Sequence, residues 1–96
     1  EVYLAGPGDE TFPGAPGADV FVFADGFGQD TITGFTVGED RIDLSGVLNP
    51  DWTTFADVQA AAAQVGDDTL IDLGGGNTIT LVGVPVTNLS AADFLL

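Results

Sequence analysis

Four acidic residues recur in one local pattern. Gly8-Asp9-Glu10-Thr11-Phe12, Gly17-Ala18-Asp19-Val20-Phe21, Gly28-Gln29-Asp30-Thr31-Ile32 and Gly38-Glu39-Asp40-Arg41-Ile42 each read Gly, any residue, acid, any residue, large apolar residue. The acids fall at positions 10, 19, 30 and 40, nine to eleven residues apart. Glycine tolerates the positive φ of a tight turn, and in extended backbone an acid and the residue two places on share a face. Each unit therefore turns, sets a carboxylate at the turn and sends an apolar side chain inward beside it. Stacked, such units bring equivalent acids to about one strand spacing, ~4.8 Å. Bare carboxylates that close repel by roughly 1–4 kcal/mol, and a cation between them reverses the sign. The chemistry on offer is oxygen ligation of a hard metal ion. Two later stretches, Gly66-Asp67-Asp68-Thr69-Leu70 and Gly75-Gly76-Asn77-Thr78-Ile79, echo the pattern. The second has Asn in the acid's place and the first follows a different kind of segment, so neither is counted with the four.

Composition points the same way. The 96 residues carry fifteen Asp and Glu against one cation, Arg41, for a net charge of −14, and there is no His, Cys, Met or Lys. Without Cys there are no disulfides or thiolate sites, and without His the usual zinc sites and general bases are gone. Carboxylates and carbonyls in excess suit calcium, since magnesium prefers few carboxylates plus water or phosphate. The charge repels nucleic acid and anionic lipid, and it opposes compaction unless something positive binds. Hydrophobic residues make up 45%, too many for a disordered acidic tail. The length holds one small domain, which buries only about 60–68% of its unfolded surface, so bound ions bear on whether it folds. No apolar run approaches the ~20 residues of a membrane span, and no signal region opens the chain. The missing initiator Met reads as a processed or excised piece.

These acids need elements to hold them. The four units read as short strands of a parallel coil covering residues 1–46, with residues 47–96 as a cap of the same domain. Val20-Phe21-Val22-Phe23 is apolar throughout and is expected to be covered on both faces. The expected cover is one helix from Phe55 to Val65, begun by a Thr54/Asp57 capping box and ended at Gly66. Strands at Thr69 to Leu73 and Asn77 to Val82 form a hairpin about Gly74-Gly75-Gly76. A second capping box at Ser90 and Asp93, with Leu89 and Phe94 as its apolar staple, gives one helical turn near the end. Asn49-Pro50-Asp51 marks a loop between the two parts.

The three clearest members of the series resemble the repeats-in-toxin family, whose nonapeptide G-G-x-G-x-D-x-U-x forms a calcium-binding parallel β-roll. The match is degenerate. Gly14-Ala15-Pro16-Gly17-Ala18-Asp19-Val20-Phe21-Val22 keeps the first and fourth glycines, and Gly6-Pro7-Gly8-Asp9-Glu10-Thr11-Phe12 has Glu for Asp. The wider runs, Ala18 to Phe23, Asp30 to Phe35 and Gly38 to Gly46, are similar to the segment that closes such rolls at the C-terminus of secreted bacterial proteins. The resemblance implies a mainly β fold, a short parallel β-roll (β-solenoid) with a C-terminal cap containing one helix and a hairpin. It implies Ca2+ as the ligand, with Glu10 paired to Asp30 and Asp19 to Asp40 because one coil takes two units. Backbone carbonyls around Gly8, Gly17, Gly28 and Gly38, with Gly6 and Gly26, then complete the oxygen set. Asp93-Phe94-Leu95-Leu96 is similar to the acidic-apolar terminus that accompanies type I secretion. That implies export from a Gram-negative bacterium to the extracellular space, a type I secretion machinery as partner and an upstream domain of a parent protein.

Other chemistries lack their residues. No stretch has EF-hand spacing, and the glycines at 74 to 76 are not followed by a helix start that would cradle phosphate. Ser45 and Ser90 have no His or Lys to activate them. An Asp-Thr-Gly protease signature is missing, because Asp30-Thr31 runs on into Ile32, and a two-carboxylate glycosidase needs a larger cleft. Asn88-Leu89-Ser90 is read as an incidental glycosylation match. Trp52 reads as a core or rim residue, and Arg41 is expected to pair with a neighbouring acid. The expectation is therefore a non-catalytic, calcium-stabilised C-terminal module carrying a secretion signal. The alternative is an extracellular structural or adhesive β-solenoid that self-associates through its open coil ends. In either case about four of the fifteen acids stand where stacked turns share an ion, and the rest keep an unfolded chain soluble.

Overall fold

The computed structural model describes residues 1–48 and 50–96; Asn49, in the expected loop, lies outside the described residues. The strands are β1 (Val2–Leu4), β2 (Thr11–Phe12), β3 (Val20–Ala24), β4 (Gln29–Ile32), β5 (Arg41–Gly46), β6 (Ala62–Val65), β7 (Asp68–Gly74), β8 (Asn77–Leu81) and β9 (Phe94–Leu95), with one α-helix among the described residues, α1 (Phe55–Ala61), and single 3-10 turns at Val86–Asn88 and Ala91–Asp93. The chain is mainly β. Successive strands β1 to β5 alternate between two sheets, one ordered β1-β3-β5-β9 and the other β2-β4-β8-β7-β6. Val2 lies opposite Val20, Thr11 opposite Thr31 and Val20 opposite Arg41, all in parallel pairs. Each coil therefore consumes two of the Gly-x-acid-x-apolar units.

After β5 the path changes. The second sheet is mixed, because β7 runs antiparallel to both β6 and β8 while β8 is parallel to β4. β8 thus takes the next place beside β4, and β9 takes the next place beside β5. The apolar residue of each unit faces the space between the sheets, where Phe21, Ile32 and Ile42 are fully buried with Phe23, Ile71, Ile79 and Leu81. Tyr3 stacks on Phe21 at 5.0 Å, and Phe12 meets Phe23 edge-on at 6.3 Å. The discounted stretch at 75 to 79 belongs to this stacking, since Thr78 and Ile79 lie in β8 opposite Gln29 and Asp30.

Three local expectations need correction. The helix ends at Ala61, and Ala62 to Val65 becomes an edge strand joined to β7 by a turn at Gly66-Asp67. Local Ala content favours helix, but so short a helix is marginal by itself, and pairing Ala62 to Val65 with β7 satisfies their backbone groups. β3 is not covered on both faces: Phe21 and Phe23 are buried while Val20 and Val22 are only partly so. The helix packs instead against β7, burying Val58. Arg41 makes no ion pair among the described residues. It stands exposed at the start of β5, and Asp43, on the same face, has its Oδ1 engaged by the Ser45 amide and hydroxyl at 2.9 and 2.6 Å.

The coils approach closely just past the ends of β2 and β4. A Cβ on Gly34 would collide with the Pro13 carbonyl oxygen and stand 3.0 Å from its carbon, and one on Gly14 would stand 2.8 Å from the Gly34 oxygen. Both obstacles are backbone, which does not swing aside. Gly34→Ala is expected to cost about 1–3 kcal/mol or more by overpacking, lowering the melting temperature by at least ~4 °C. Thermal denaturation followed by circular dichroism checks this.

Candidate metal centre

The four acids of the series sit at two corners of the coil. At the first, Glu10 precedes β2 and Asp30 lies in β4, so the β2–β4 register makes them neighbours on successive rungs. The Glu10 amide donates to Asp30 Oδ1 at 2.9 Å. Asp30 Oδ2 and Glu10 Oε1 are both buried with no hydrogen-bond partner. Asp30 is only 1% exposed. Burial pushes its carboxyl up to about 6, helped by the charges of Glu10 and Asp9, while the Glu10 N–H pulls the other way.

The turns around this corner are tightly stacked. Gly8 and Gly28 have φ of +94° and +86°, a conformation that side chains rarely adopt. A Cβ on Gly28 would stand 3.1 Å from Asp9 Oδ1 and from the Gly8 carbonyl oxygen. Asp9 Oδ1 also accepts the Gln29 amide at 2.9 Å, tying the two turns together. Glu10 folds back over its own turn, its Oε2 lying 4.0 Å from where a Gly6 Cβ would stand. A cavity of about 360 Å3 adjoins the corner, lined by Asp9, Gln29, Asp30 and the hydroxyl residues Thr31, Thr78 and Thr80 over Leu70.

The second corner brings Asp19 and Asp40 together, but its carboxylates are engaged differently. Asp40 Oδ1 accepts the Asp19 amide at 2.9 Å and Oδ2 accepts the Thr36 amide at 2.7 Å. Asp19 Oδ2 accepts the Ala15 amide at 2.8 Å. Asp19 Oδ1 has no hydrogen bond, yet the Glu1 nitrogen lies 3.4 Å away and pairs with it electrostatically. Gly17 and Gly38 have φ of +91° and +83° in these turns.

Two residues outside the four complete the corners. Asp93 is fully buried, its Oδ1 accepting the Gly38 amide at 3.0 Å and its Oδ2 the Ser90 amide at 2.8 Å. It continues the Asp19–Asp40 column. Asn77 Oδ1 accepts the Gly28 amide at 2.9 Å and so closes the first corner. The Gly-x-Asn-x-Ile echo at 75 to 79 carried the signal for Asn77, whereas Asp93 follows no Gly-x-acid unit and was marked only by its capping box and its place in the acidic-apolar terminus.

What this arrangement offers chemically is limited. Among the described residues no three His, Cys, Asp or Glu side chains converge on one point, so an ion here would draw on backbone carbonyls as well. A calcium ion fits the first corner on those terms: two orphaned carboxylate oxygens are already buried, burial raises the Asp30 carboxyl so that its charge gains from a cation, and the Gly-rich turns leave backbone within reach. Both serine hydroxyls donate to aspartates, Ser45 to Asp43 at 2.6 Å and Ser90 to Asp93 at 3.3 Å. No helix of the described residues is long and apolar enough to cross a membrane.

Comparison with known proteins places this fold. The crystal structure of the extracellular lipase LipA from Serratia marcescens matches with a TM-score of 0.85 at 24% identity, over 99% of this chain and 14% of that one. The chain thus spans about one seventh of that lipase, and at this identity the likeness concerns the fold. A search of the curated proteins finds no match. The family model described as peptidase M10 serralysin C terminal matches residues 1–96, the full length of the sequence, and the chain belongs to that family.

Proposed function

We propose that the chain is a non-catalytic C-terminal module of a secreted bacterial protein, a short β-roll stabilised by calcium and closed by a cap that carries a type I secretion signal. Residues 1–46 supply the coils, and 47–96 return β8 and β9 to close both sheets. The observation that carries the reading is the pair of buried, partnerless oxygens on Glu10 and Asp30. Leaving such atoms bare costs about 1–3 kcal/mol each, more when charged, and a hard cation offsets it. Glu10 and Asp30, with carbonyls around Gly8 and Gly28, would hold the ion, which would supply charge neutralisation there. Membership of the serralysin C-terminal family and the likeness to about one seventh of an extracellular lipase support a place in a longer secreted protein with its own upstream domain.

The working principle is linkage between ion binding and folding. Extracellular calcium sites commonly have dissociation constants of ~10⁻⁴ to 10⁻³ M, and tenfold saturation stabilises by about 1.4 kcal/mol. Inside a cell free calcium lies far below such constants, and the repulsion of a chain with net charge −14 then keeps it extended and exportable by a Gram-negative secretion machinery. Thermal melts in chelator and in millimolar calcium test this: the melting temperature is expected to rise by about 4 °C or more with calcium. Identical curves in the two media sink the calcium reading.

One observation favours self-association as a second reading. Val2 and Leu4 on the open edge strand β1 are 63% and 71% exposed, and edge strands seek partners. Sedimentation in calcium separates the cases, since a monomer at high concentration removes the assembly reading.

A further inference from the structure

The two corners, treated alike by the spacing of their acids, differ in how the carboxylates are used. Asp40 and Asp93 repeat one pattern, and Asp19 shares half of it. The Oδ2 atoms of Asp19, Asp40 and Asp93 each accept an amide of their own turn, from Ala15, Thr36 and Ser90 respectively. The Oδ1 atoms of Asp40 and Asp93 accept amides of an earlier coil, those of Asp19 and Gly38, whereas Asp19 Oδ1 accepts no hydrogen bond. Asp30 makes only the second half of the pattern, to the Glu10 amide, and its Oδ2 is left bare. We propose that the Asp19–Asp40–Asp93 side is a metal-free aspartate ladder, so that the chain binds a single calcium ion, at the Glu10–Asp30 corner, rather than one between each acid pair.

The inference deepens the calcium reading and rests on it. Calcium collects six to eight oxygens, and it needs the negative ends of dipoles around it. The ladder presents the opposite surroundings: backbone N–H groups aim their positive ends at the carboxylates and already supply the charge-assisted bonds that a metal would otherwise provide. An ion entering there must displace those amides and strand them in a buried place. At the Glu10–Asp30 corner the surroundings are inverted: the Glu10 amide reaches only Asp30, and one oxygen of each carboxylate has no hydrogen-bond partner. The consequence is a division of labour. The ladder staples β3, β5 and the segment before β9 at any calcium concentration, and calcium acts on the β2–β4 side alone.

Equilibrium dialysis of the purified chain against calcium counts the ions directly, whether or not the metal-free chain is folded. One ion per chain is expected. Glu10→Gln and Asp30→Asn should weaken binding at least tenfold, whereas Asp40→Asn should melt at lower temperature yet keep its stoichiometry and stay within about threefold in affinity, measured below its melting point. Two ions per chain, or loss of an ion in a folded Asp40→Asn protein, overturns the ladder while leaving the calcium reading intact. No binding by the unaltered chain overturns both. Should Asp40→Asn fail to fold, nuclear magnetic resonance on the unaltered chain decides: calcium should move the amide signals of Gly8, Glu10, Gly28 and Asp30. Equal movement of those of Ala15, Asp19, Thr36 and Gly38 counts against the proposal.

Discussion

Replacing Phe94 with alanine should lower the melting temperature by at least ~12 °C. Phe94 is buried against the core, its ring 5.8 Å from that of Phe55, in the two-residue strand that pairs Ile42 with Phe94 and Asp43 with Leu95. A buried Phe→Ala change costs about 3–5 kcal/mol, a large share of the ~5–15 kcal/mol that holds a small domain together, and each kcal/mol moves the midpoint of a domain this size by about 4–8 °C. Among the described residues β9 is the edge strand of its sheet and pairs with β5 alone. A shift below ~4 °C would show that the closing strand frays independently of the core. The same burial bears on the proposed secretion role. Asp93 and Phe94 are inside the folded chain, so a machinery reading Asp93-Phe94-Leu95-Leu96 meets them before folding. Deleting Asp93 to Leu96 should leave the product in the cytoplasm, and undiminished export would remove the signal from this tetrapeptide.

The stacking of Glu10 under Asp30 and of Asp19 under Asp40 was legible in the sequence because it follows from two local facts: glycine permits the turn, and alternation along a strand fixes which residues share a face. The inward Phe21, Ile32 and Ile42 were legible for the same reason. What Asp93 does was not, because its partner amide at Gly38 is 55 residues away, and no local pattern encodes which earlier turn a late segment meets. The end of the helix failed differently. The alanine run that begins at Ala60 has no say once β7 offers Ala62 to Val65 a row of backbone partners, and tertiary pairing overrode a propensity worth tenths of a kcal/mol per residue. Spacing also could not distinguish the two corners. Whether a carboxylate meets N–H groups or empty space depends on the path of the preceding turn, which differs between Gly26 to Gly28 and Thr36 to Gly38 although both contain a glycine at positive φ.

Asp30→Asn should reverse its effect between chelator and calcium. In the metal-free chain the Asp30 carboxyl is raised to about 6, by burial first, with Glu10 and Asp9 adding their charges against the opposing Glu10 amide. A carboxyl raised in the folded state favours folding when protonated, so its contribution is fully present below the unfolded value of ~3.9 and is lost as pH rises through about 6. At pH 7 in chelator, the neutral amide of the variant keeps an oxygen for the Glu10 N–H and removes the buried charge. The variant is expected to melt several degrees above the unaltered chain, given a relief of about 1–3 kcal/mol. The gap should close as the pH falls towards 4, where Asp30 itself is neutral. Comparing the two proteins at each pH cancels groups such as Asp57, whose carboxyl the Thr53 and Thr54 amides hold below its ordinary range and whose help is lost on acidification. In calcium at pH 7 the order inverts, because only the unaltered chain gains from the ion. Equal destabilisation by the substitution in both media would make Asp30 another rung of a hydrogen-bonded ladder and leave the chain no corner at which a cation acts.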